Sequence, residues 1–260
     1  MTKAKTFRGG LITLFSLSLV VTASTANADM TESLKATLTA AMADEQRPQK
    51  DKDRDRNRRP VQTLEFFGLE ADQRVLELVP GGGWYTRLLA PAVKDNGKLY
   101  VAIGTDRVQN GLLTEPGFEA VEVVSVGGEF GRKEGARRYS LDNLSLDVRE
   151  IDLALTFRNV HNFDAPSRAA LNAAVFEAIK PGGHYGIIDH TRRHMDGDDS
   201  ETWRRMDPVQ VIKEALAAGF EFVDFSDLHF KPDDGLIYEV GRRSVSGNSD
   251  RFTLLFRKPE

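Results

Sequence analysis

The sequence predicts an α/β fold with a largely parallel sheet, because short apolar runs alternate with helical stretches and with glycine-rich turns. Seven apolar runs predict strands over residues 75–79, 99–103, 121–126, 151–157, 185–189, 220–225 and 252–256. Helical patterns cover residues 84–93, 165–180 and 208–219. Nearly continuous apolar strands are typical of parallel sheets that helices cover on both faces. No helical pattern separates the last two strands, so we expect them to form an antiparallel pair at one end.

The first 28 residues have the pattern of a secretory signal peptide. Lys3, Lys5 and Arg8 precede an apolar run over residues 11–23, and Ala26-Asn27-Ala28 offers a small-residue cleavage site. A membrane anchor is the alternative, but the run is shorter than the roughly 20 residues that span a bilayer. We therefore expect cleavage after Ala28 and a periplasmic or secreted protein. The chain has no cysteine, which excludes disulfides and a lipidated N-terminal cysteine.

Composition limits the possible partners. The 260 residues carry 35 Lys and Arg against 39 Asp and Glu, a net charge of −4, which becomes −7 once the three positive charges of residues 1–28 are removed. A net acidic chain has no global field that attracts nucleic acid or an anionic membrane. We expect a small-molecule substrate, no nucleic-acid partner, and no membrane contact after signal cleavage. The length suits one α/β domain over residues 60–260, preceded by an extension.

The extension, residues 29–59, divides into a helix and a charged segment. Leu34, Leu38 and Met42 recur at four-residue spacing, which predicts a helix over residues 29–43. Residues 44–59 interleave seven Lys or Arg with five Asp or Glu and show no apolar periodicity. This segment is either a solvated linker or exposed helix with internal ion pairs, or an arginine-bearing lid over an anionic ligand.

The first strand runs into a turn, Val79-Pro80-Gly81-Gly82-Gly83, that suits a nucleotide. Glycines allow a ligand to approach the main chain closely, and the helix that follows would direct free N–H groups to the same point. A dinucleotide fingerprint would need glycine at Thr86 and an acid at the end of the second strand, which reads Ala102-Ile103-Gly104. A nicotinamide-dependent oxidoreductase is therefore disfavoured.

Glu77 before this glycine turn resembles motif I of the class I S-adenosylmethionine-dependent methyltransferases. Five further segments resemble that family in the right order: residues 97–102, 144–155, 178–183 with 187–190, 217–220 and 251–258. The turn with Trp84 and Tyr85, together with residues 157–162, resembles a subgroup of exported, predicted methyltransferases.

The resemblance implies a Rossmann-like fold, a seven-stranded, mostly parallel sheet of order 3-2-1-4-5-7-6 with helices on both faces, and S-adenosylmethionine as cofactor. The implied cofactor-binding residues are Glu77, Gly81, Gly82, Gly83, Trp84, Asp142, Arg158 and Asn159. Trp84 could stack on the ligand or pack its helix onto the sheet. The chain departs from the family pattern in three places: Val79 replaces the first glycine of the turn, the acid of strand two is missing, and Ser140 stands where an acid often faces adenine, although Asp142 is close by.

Candidate chemistry follows strands four and five, whose ends would share one crevice with the glycine turn. We expect catalytic roles for His161 and His190, and substrate contacts for Asn162, Asp189 and Arg192. A histidine could deprotonate an acceptor hydroxyl or amine, since its reference pKa is near 6.5. Alternatively, His161 and Asn162 cap a loop. Asp189 and His190 could also be metal ligands, but no third ligand has a recognisable spacing, so no metal is expected.

Two functions therefore stay open. The first is methyl transfer from S-adenosylmethionine to an oxygen or nitrogen of a small molecule, which Glu77 and the glycine turn favour. The second is a non-catalytic exported binding protein that retains the fold, which the missing acid and the export signal favour, because S-adenosylmethionine is not ordinarily made outside the cytoplasm.

Overall fold

The computed structural model of the protein describes Met1 and residues 30–260. The predicted signal peptide and its cleavage site lie outside the described residues, except for Met1. The helices are α1 (Glu32–Ala43), α2 (Gln49–Lys52), α3 (Asp55–Arg58), α4 (Pro60–Phe66), α5 (Thr86–Val93), α6 (Asp106–Gln109), α7 (Ala165–Ala178) and α8 (Pro208–Ala217). The strands are β1 (Arg74–Leu78), β2 (Lys98–Ala102), β3 (Glu122–Val123), β4 (Val126–Gly131), β5 (Ser140–Leu146), β6 (Ile151–Phe157), β7 (Ile179–His190), β8 (Glu221–Ser226) and β9 (Arg251–Arg257).

Seven of these strands form one sheet of order β3-β2-β1-β6-β7-β9-β8. Strands β3, β2, β1, β6 and β7 pair in parallel, whereas β9 runs antiparallel to both β7 and β8. Since β6, β7, β8 and β9 are the predicted strands four to seven, the predicted order and the antiparallel pair at one end are confirmed.

Two apolar layers cover the sheet, because alternate residues of β1 point to opposite faces. Val75 packs in a cluster with Leu38 of α1, Leu64 of α4 and Leu88 of α5. Leu76 packs in the other cluster, which includes residues of α7 and α8. The buried β1 therefore lies at the centre of the fold, and its carboxyl end is fixed from both sides.

The largest difference from the sequence prediction lies between β3 and β6. A strand was expected over residues 121–126, but β3 contains only two residues, and β4 and β5 form a separate antiparallel hairpin. The hairpin gave no apolar signal because all of β4 is exposed and contains three glycines. Strand β7 also begins earlier than predicted, at Ile179, with a register shift opposite Ile151 and Leu153.

Within residues 30–260, no helix combines the length and the apolar character that crossing a bilayer requires.

Candidate functional site

A cavity of about 740 Å³ lies at the carboxyl ends of β1 and β6, under the charged segment that contains α2 and α3. Its lining residues are Pro48, Lys50, Asp51, Arg54, Arg58, Glu77, Val79, Pro80, Gly81, Gly82, Trp84, Tyr85, Arg87, Arg107, Gly111, Leu112, Glu115, Phe157, Arg158 and Asn159. A larger, shallower depression of about 1070 Å³ lies between Arg74, where β1 starts, and the β4–β5 hairpin. Because open parallel sheets bind ligands at the carboxyl ends of their strands, the smaller cavity is the candidate site.

Three neighbouring strands end at this edge in residues with left-handed backbone. Ile103 follows β2 with a φ of 65°, Val79 follows β1 with a φ of 52°, and Arg158 follows β6 with a φ of 63°. Side chains, and β-branched ones above all, rarely adopt this region, and strained residues cluster at functional sites. Val79 occupies the position of the family's first glycine, so the chain keeps the glycine-like backbone geometry without the glycine.

Two glycines of the turn are required for different physical reasons. Gly81 has a φ of 60°, and a Cβ placed on it would meet nothing within 4 Å, so the main chain is open to the cavity there. Gly83 has a φ of 83°, and a Cβ on it would lie 2.5 Å from Leu112 Cδ2. Gly83 therefore permits close packing beneath the turn, and Gly81 permits close approach of a ligand.

Glu77 is the carboxyl group at the floor of the cavity. It is 3% exposed, and the hydroxyl of Thr86 donates a hydrogen bond of 2.5 Å to its Oε2. Burial raises the pKa of Glu77 to about 7, against the opposing effects of the Thr86 hydrogen bond and of Arg58. Thr86, which stands where a dinucleotide fingerprint would have glycine, therefore holds this carboxyl group in place.

The charged segment folds over the cavity. Both Arg47 guanidinium Nη atoms donate to the carboxylate of Asp55 at 2.6 Å, which ties the start of the segment to α3. The indole Nε1 of Trp84 donates to the carbonyl oxygen of Asp51 at 3.1 Å. Lys50, Asp51, Arg54 and Arg58 of this segment line the cavity. The charged segment therefore lies where a lid would lie. Its closure over an anionic ligand stays a prediction.

Trp84 and Tyr85 lie in the turn before α5 rather than within the helix. The guanidinium carbons of Arg47 and Arg58 lie 4.9 and 4.2 Å from the centroid of the Trp84 ring. Tyr85 stacks on Phe157, with ring centroids 3.5 Å apart. Trp84 therefore holds the lid over the cavity, a role that neither alternative named, and because it also lines the cavity its stacking on a ligand stays a prediction.

Asn159 joins the ends of β1 and β6. Its Nδ2 donates to the carbonyl oxygen of Val79 at 3.1 Å and to that of Phe157 at 3.0 Å. Both amide hydrogens of Asn159 therefore hold the ends of β1 and β6 together, and the side chain fixes the shape of the cavity wall of which it is part.

The predicted catalytic residues form a buried cluster beside the cavity. The Nδ1 of His161 lies 2.6 Å from Asp189 Oδ1, and the backbone N–H of His161 donates to Asp189 Oδ2 at 2.9 Å. The His190 ring centroid lies 5.6 Å from that of His161, and its Nδ1 is 2.8 Å from Ser249 Oγ. Burial, with the adjacent His161, lowers the pKa of His190 well below its usual range. The structure brings these groups together, but none of them lines the cavity.

Three further predicted site residues lie apart from the cavity. Asp142 is exposed on the β4–β5 hairpin opposite Glu129, Asn162 accepts a hydrogen bond from Tyr139 N through its carbonyl oxygen, and Arg192 lies 3.6 Å from Asp198. The expectation that Asp142 faces a cofactor rested on its nearness to Ser140, and the structure places both residues on strand β5 of the hairpin. None of the three lines the cavity.

Sequence reasoning missed much of the charge at the site. Arg107, which follows β2, lies 3.3 Å from the position of a Cβ on Gly82, on the side where the family's strand-two acid was expected. Glu115 also lines the cavity, but both of its oxygens accept hydrogen bonds of 2.8 Å from Arg87. Among the cations of the cavity, the sequence indicated the arginine-bearing lid and Arg158, which both line it. No cluster of three or more His, Asp or Glu suited to a metal ion occurs in the described part of the chain.

Comparison with known proteins supports the fold. A methyltransferase from Aquifex aeolicus, described as dependent on SAM (S-adenosylmethionine), matches with a TM-score of 0.55 and 18% identity over 81% of this chain and 97% of its own. A [4+2]-cyclase, SpnF, matches with a TM-score of 0.54 and 18% identity over 87% and 93%. A TehB-like SAM-dependent methyltransferase from Corynebacterium glutamicum matches with a TM-score of 0.50 and 12% identity over 78% and 87%.

No protein-family model matches the chain, and no curated protein matches it in sequence. At these identities the structural likenesses show a shared fold, the Rossmann-like methyltransferase fold that the sequence predicts. The same fold carries different chemistries, so the function depends on the site.

Proposed function

We propose that the protein is an S-adenosylmethionine-dependent methyltransferase that acts on an oxygen or nitrogen of a small molecule. The observation that carries the proposal is the buried Glu77 beside the open main chain of Gly81, at the carboxyl end of β1. When bound, S-adenosylmethionine supplies an electrophilic methyl group.

The floor of the cavity fits the amino-acid end of this cofactor. Glu77 is buried and has no basic partner within hydrogen-bonding distance among residues 30–260, so an ammonium group would pair with it. Gly81 leaves room for a carboxylate or sulfonium to approach the backbone. A volume of about 740 Å³ is within the range of small-molecule sites.

The β2 side fits less well. Ile103 and Gly104 stand where an acid would hold ribose hydroxyls, and Arg107 lies there instead. Glu115, which comes later in the sequence than the expected acid, also places a carboxylate in this cavity, although Arg87 donates to both of its oxygens. We propose that Glu115 takes the place of the missing acid.

His161 is the proton acceptor in this proposal. Asp189 holds the Nδ1 of His161, which leaves Nε2, a nitrogen without a hydrogen-bond partner in the described structure, to take a proton from the acceptor. His161 is only 5% exposed, so the cavity must extend past Arg158 and Asn159 when the acceptor enters. His190 and Asp189 act as positioning residues for His161.

The alternative is an exported binding protein that keeps the fold without catalysis. Arg107 in place of an acid favours it, as do the burial of His161 and the predicted signal peptide. We also propose export itself. Sequencing the N-terminus of the protein from a periplasmic fraction should give Asp29 as the first residue, and a cytoplasmic protein with an intact N-terminus would contradict export.

Calorimetric titration of the mature protein with S-adenosylmethionine and S-adenosylhomocysteine tests the main proposal. We expect micromolar binding of both, which Glu77→Ala abolishes and which the control Asp142→Ala, on the remote hairpin, leaves unchanged. Absence of binding at millimolar ligand would refute the methyltransferase proposal and leave the binding protein. If both ligands bind, His161→Ala should leave their affinities unchanged.

A further inference from the structure

The cavity carries an excess of positive charge that the cofactor does not explain. Six Lys or Arg side chains line it against three Asp or Glu. Arg87 and Glu115 neutralise each other. Glu77, with a pKa of about 7, is only partly ionised at neutral pH. Of the five remaining cations, Arg58 and Arg158 are the two that lie where the lid meets the end of β6.

Arg58 is a buried guanidinium that forms no ion pair within the described part of the chain. It is the last residue of α3, is 6% exposed, and lines the cavity. Its guanidinium lies over the rings of Trp84 and Tyr85, at 4.2 and 5.6 Å from the centroids. No ion pair or side-chain hydrogen bond reaches it from residues 30–260.

The position of the Arg58 guanidinium is preset, because it lies over the rings of Trp84 and Tyr85 and because the backbone of Arg58 is held firmly. Its carbonyl oxygen accepts a hydrogen bond of 2.8 Å from Thr63 Oγ1 and one of 3.0 Å from His229 Nε2. The Nδ1 of His229 lies 2.7 Å from Thr253 Oγ1, which ties this contact to β9. A preorganised donor loses little entropy when it binds a ligand.

Arg158 and Arg251 add to the same patch. Arg158 lines the cavity and has no acidic partner in the part of the chain that the structure describes. Arg251 is 6% exposed, donates from Nη1 to the carbonyl oxygen of Asn57 at 2.9 Å, and has an Nε that is buried without a partner. Burial and the neighbouring guanidinium groups lower the pKa of Arg58 to about 8 and that of Arg158 to about 10.

Of the acids close to this patch, Glu77 accepts a hydrogen bond from Thr86 and is assigned to the cofactor's ammonium group in the proposed function, and the other two are engaged. Asp55 is bound by Arg47 through both oxygens, and Asp189 is bound by His161 and by the backbone N–H of His190. Unpaired buried charge is costly, so a cluster of guanidinium groups persists where a ligand supplies the counter-charge. Arginine suits the paired oxygens of phosphate and carboxylate groups.

We propose that Arg58 and Arg158 bind an oxyanion, a phosphate or a carboxylate, that is carried by the methyl acceptor. The assignment to the acceptor rests on the proposed function and on topology. The glycine turn and Arg107 lie on the β1–β2 side of the cavity, whereas Arg158 ends β6 and Arg251 begins β9, on the side of His161.

The test is calorimetric titration of inorganic phosphate, and separately of acetate, into the mature protein at low ionic strength with saturating S-adenosylhomocysteine. We expect at least one anion to bind, and Arg58→Gln and Arg158→Gln each to weaken it about tenfold, as loss of a charged hydrogen-bond donor does. The matched control is Arg56→Gln, which removes an exposed arginine from the same helix outside the cavity and should leave anion affinity unchanged. A circular dichroism spectrum identical to that of the unmodified protein verifies folding of each variant.

The outcomes separate the two proposals. Tighter binding of phosphate assigns a phosphorylated acceptor, and tighter binding of acetate assigns a carboxylic acid. Competition between the anion and S-adenosylhomocysteine would overturn the inference, because the patch would then hold the cofactor's own carboxylate. Absence of anion binding, or binding insensitive to Arg158→Gln, would also overturn it. Anion binding without any S-adenosylhomocysteine binding would support the oxyanion site and contradict methyl transfer.

Discussion

Glu77→Gln should make the ligand-free protein more stable while it destroys the binding site. Folding moves the pKa of Glu77 from its ordinary value of 4.5 to about 7. The folded state therefore holds this proton more tightly than the unfolded chain does. Stability from this group is fully present below pH 4.5 and is lost progressively as the pH rises to about 7.

The magnitude follows from the size of that change. At about 1.4 kcal/mol per pH unit, a rise from 4.5 to about 7 corresponds to a total loss of about 3 kcal/mol, of which about 2.5 kcal/mol falls between pH 5 and pH 8. Glutamine has nearly the same shape, can accept the Thr86 hydrogen bond, and does not ionise. We therefore expect the difference in unfolding free energy between Glu77→Gln and the unmodified protein to grow by roughly that amount over this pH range.

Urea denaturation of both proteins at pH 5, 6, 7 and 8, without ligand, measures this difference. The control is Glu115→Gln, which removes a cavity carboxylate that Arg87 pairs at 2.8 Å, and which should destabilise the protein. A difference between Glu77→Gln and the unmodified protein that does not change with pH would refute the reasoning. It would mean that the carboxyl group is ionised at no cost, through solvent or a partner that the structure does not include.

The remaining predictions concern backbone strain, the strand bridge and the lid. Val79→Gly should change the unfolding free energy by less than about 1 kcal/mol, because relief of the left-handed backbone of this valine offsets the lost packing. The control Val75→Gly, in the fully buried part of β1, should cost about 3 kcal/mol or more. Equal costs for the two variants in urea denaturation would contradict this prediction. Asn159→Asp should destabilise more than Asn159→Ala, because a carboxylate would face the carbonyl oxygens of Val79 and Phe157; the opposite order in thermal denaturation would remove the bridging role. Trp84→Phe should speed amide hydrogen exchange over residues 49–58, since it removes the donor to Asp51; unchanged exchange would show that the lid is held elsewhere.

The sheet could be predicted from the sequence because its central strands are buried on both faces. Runs such as residues 75–79 and 151–157 are apolar except for Glu77, Asp152 and Thr156, and the helices between them fix a parallel order. The β4–β5 hairpin could not, since its glycines and exposed side chains carry no periodic signal. The placement of Glu77 beside the glycine turn was predictable, because these residues are neighbours in the sequence at the end of a buried strand.

The cationic part of the site depends on tertiary contacts that sequence spacing does not encode. Arg58 reaches the cavity only because the charged segment folds back over Trp84, and the same composition equally suits a solvated linker. Thr86 illustrates the converse case. In the sequence it counts as a missing glycine, whereas in the structure its hydroxyl group is the partner of the buried carboxyl group of Glu77.

The lid is fastened to parts of the chain that are distant in the sequence. The carbonyl oxygens of Asn57 and Arg58, near the beginning of the described chain, accept hydrogen bonds from Arg251 and His229, near its end. A chain that lacks β9 therefore also lacks Arg251, one of the side chains that hold the lid from the C-terminal part of the fold, even though the glycine turn is present. A truncation before residue 251 should leave a chain that retains most of the strands of the sheet but has lost its capacity to bind a ligand in the cavity under the lid.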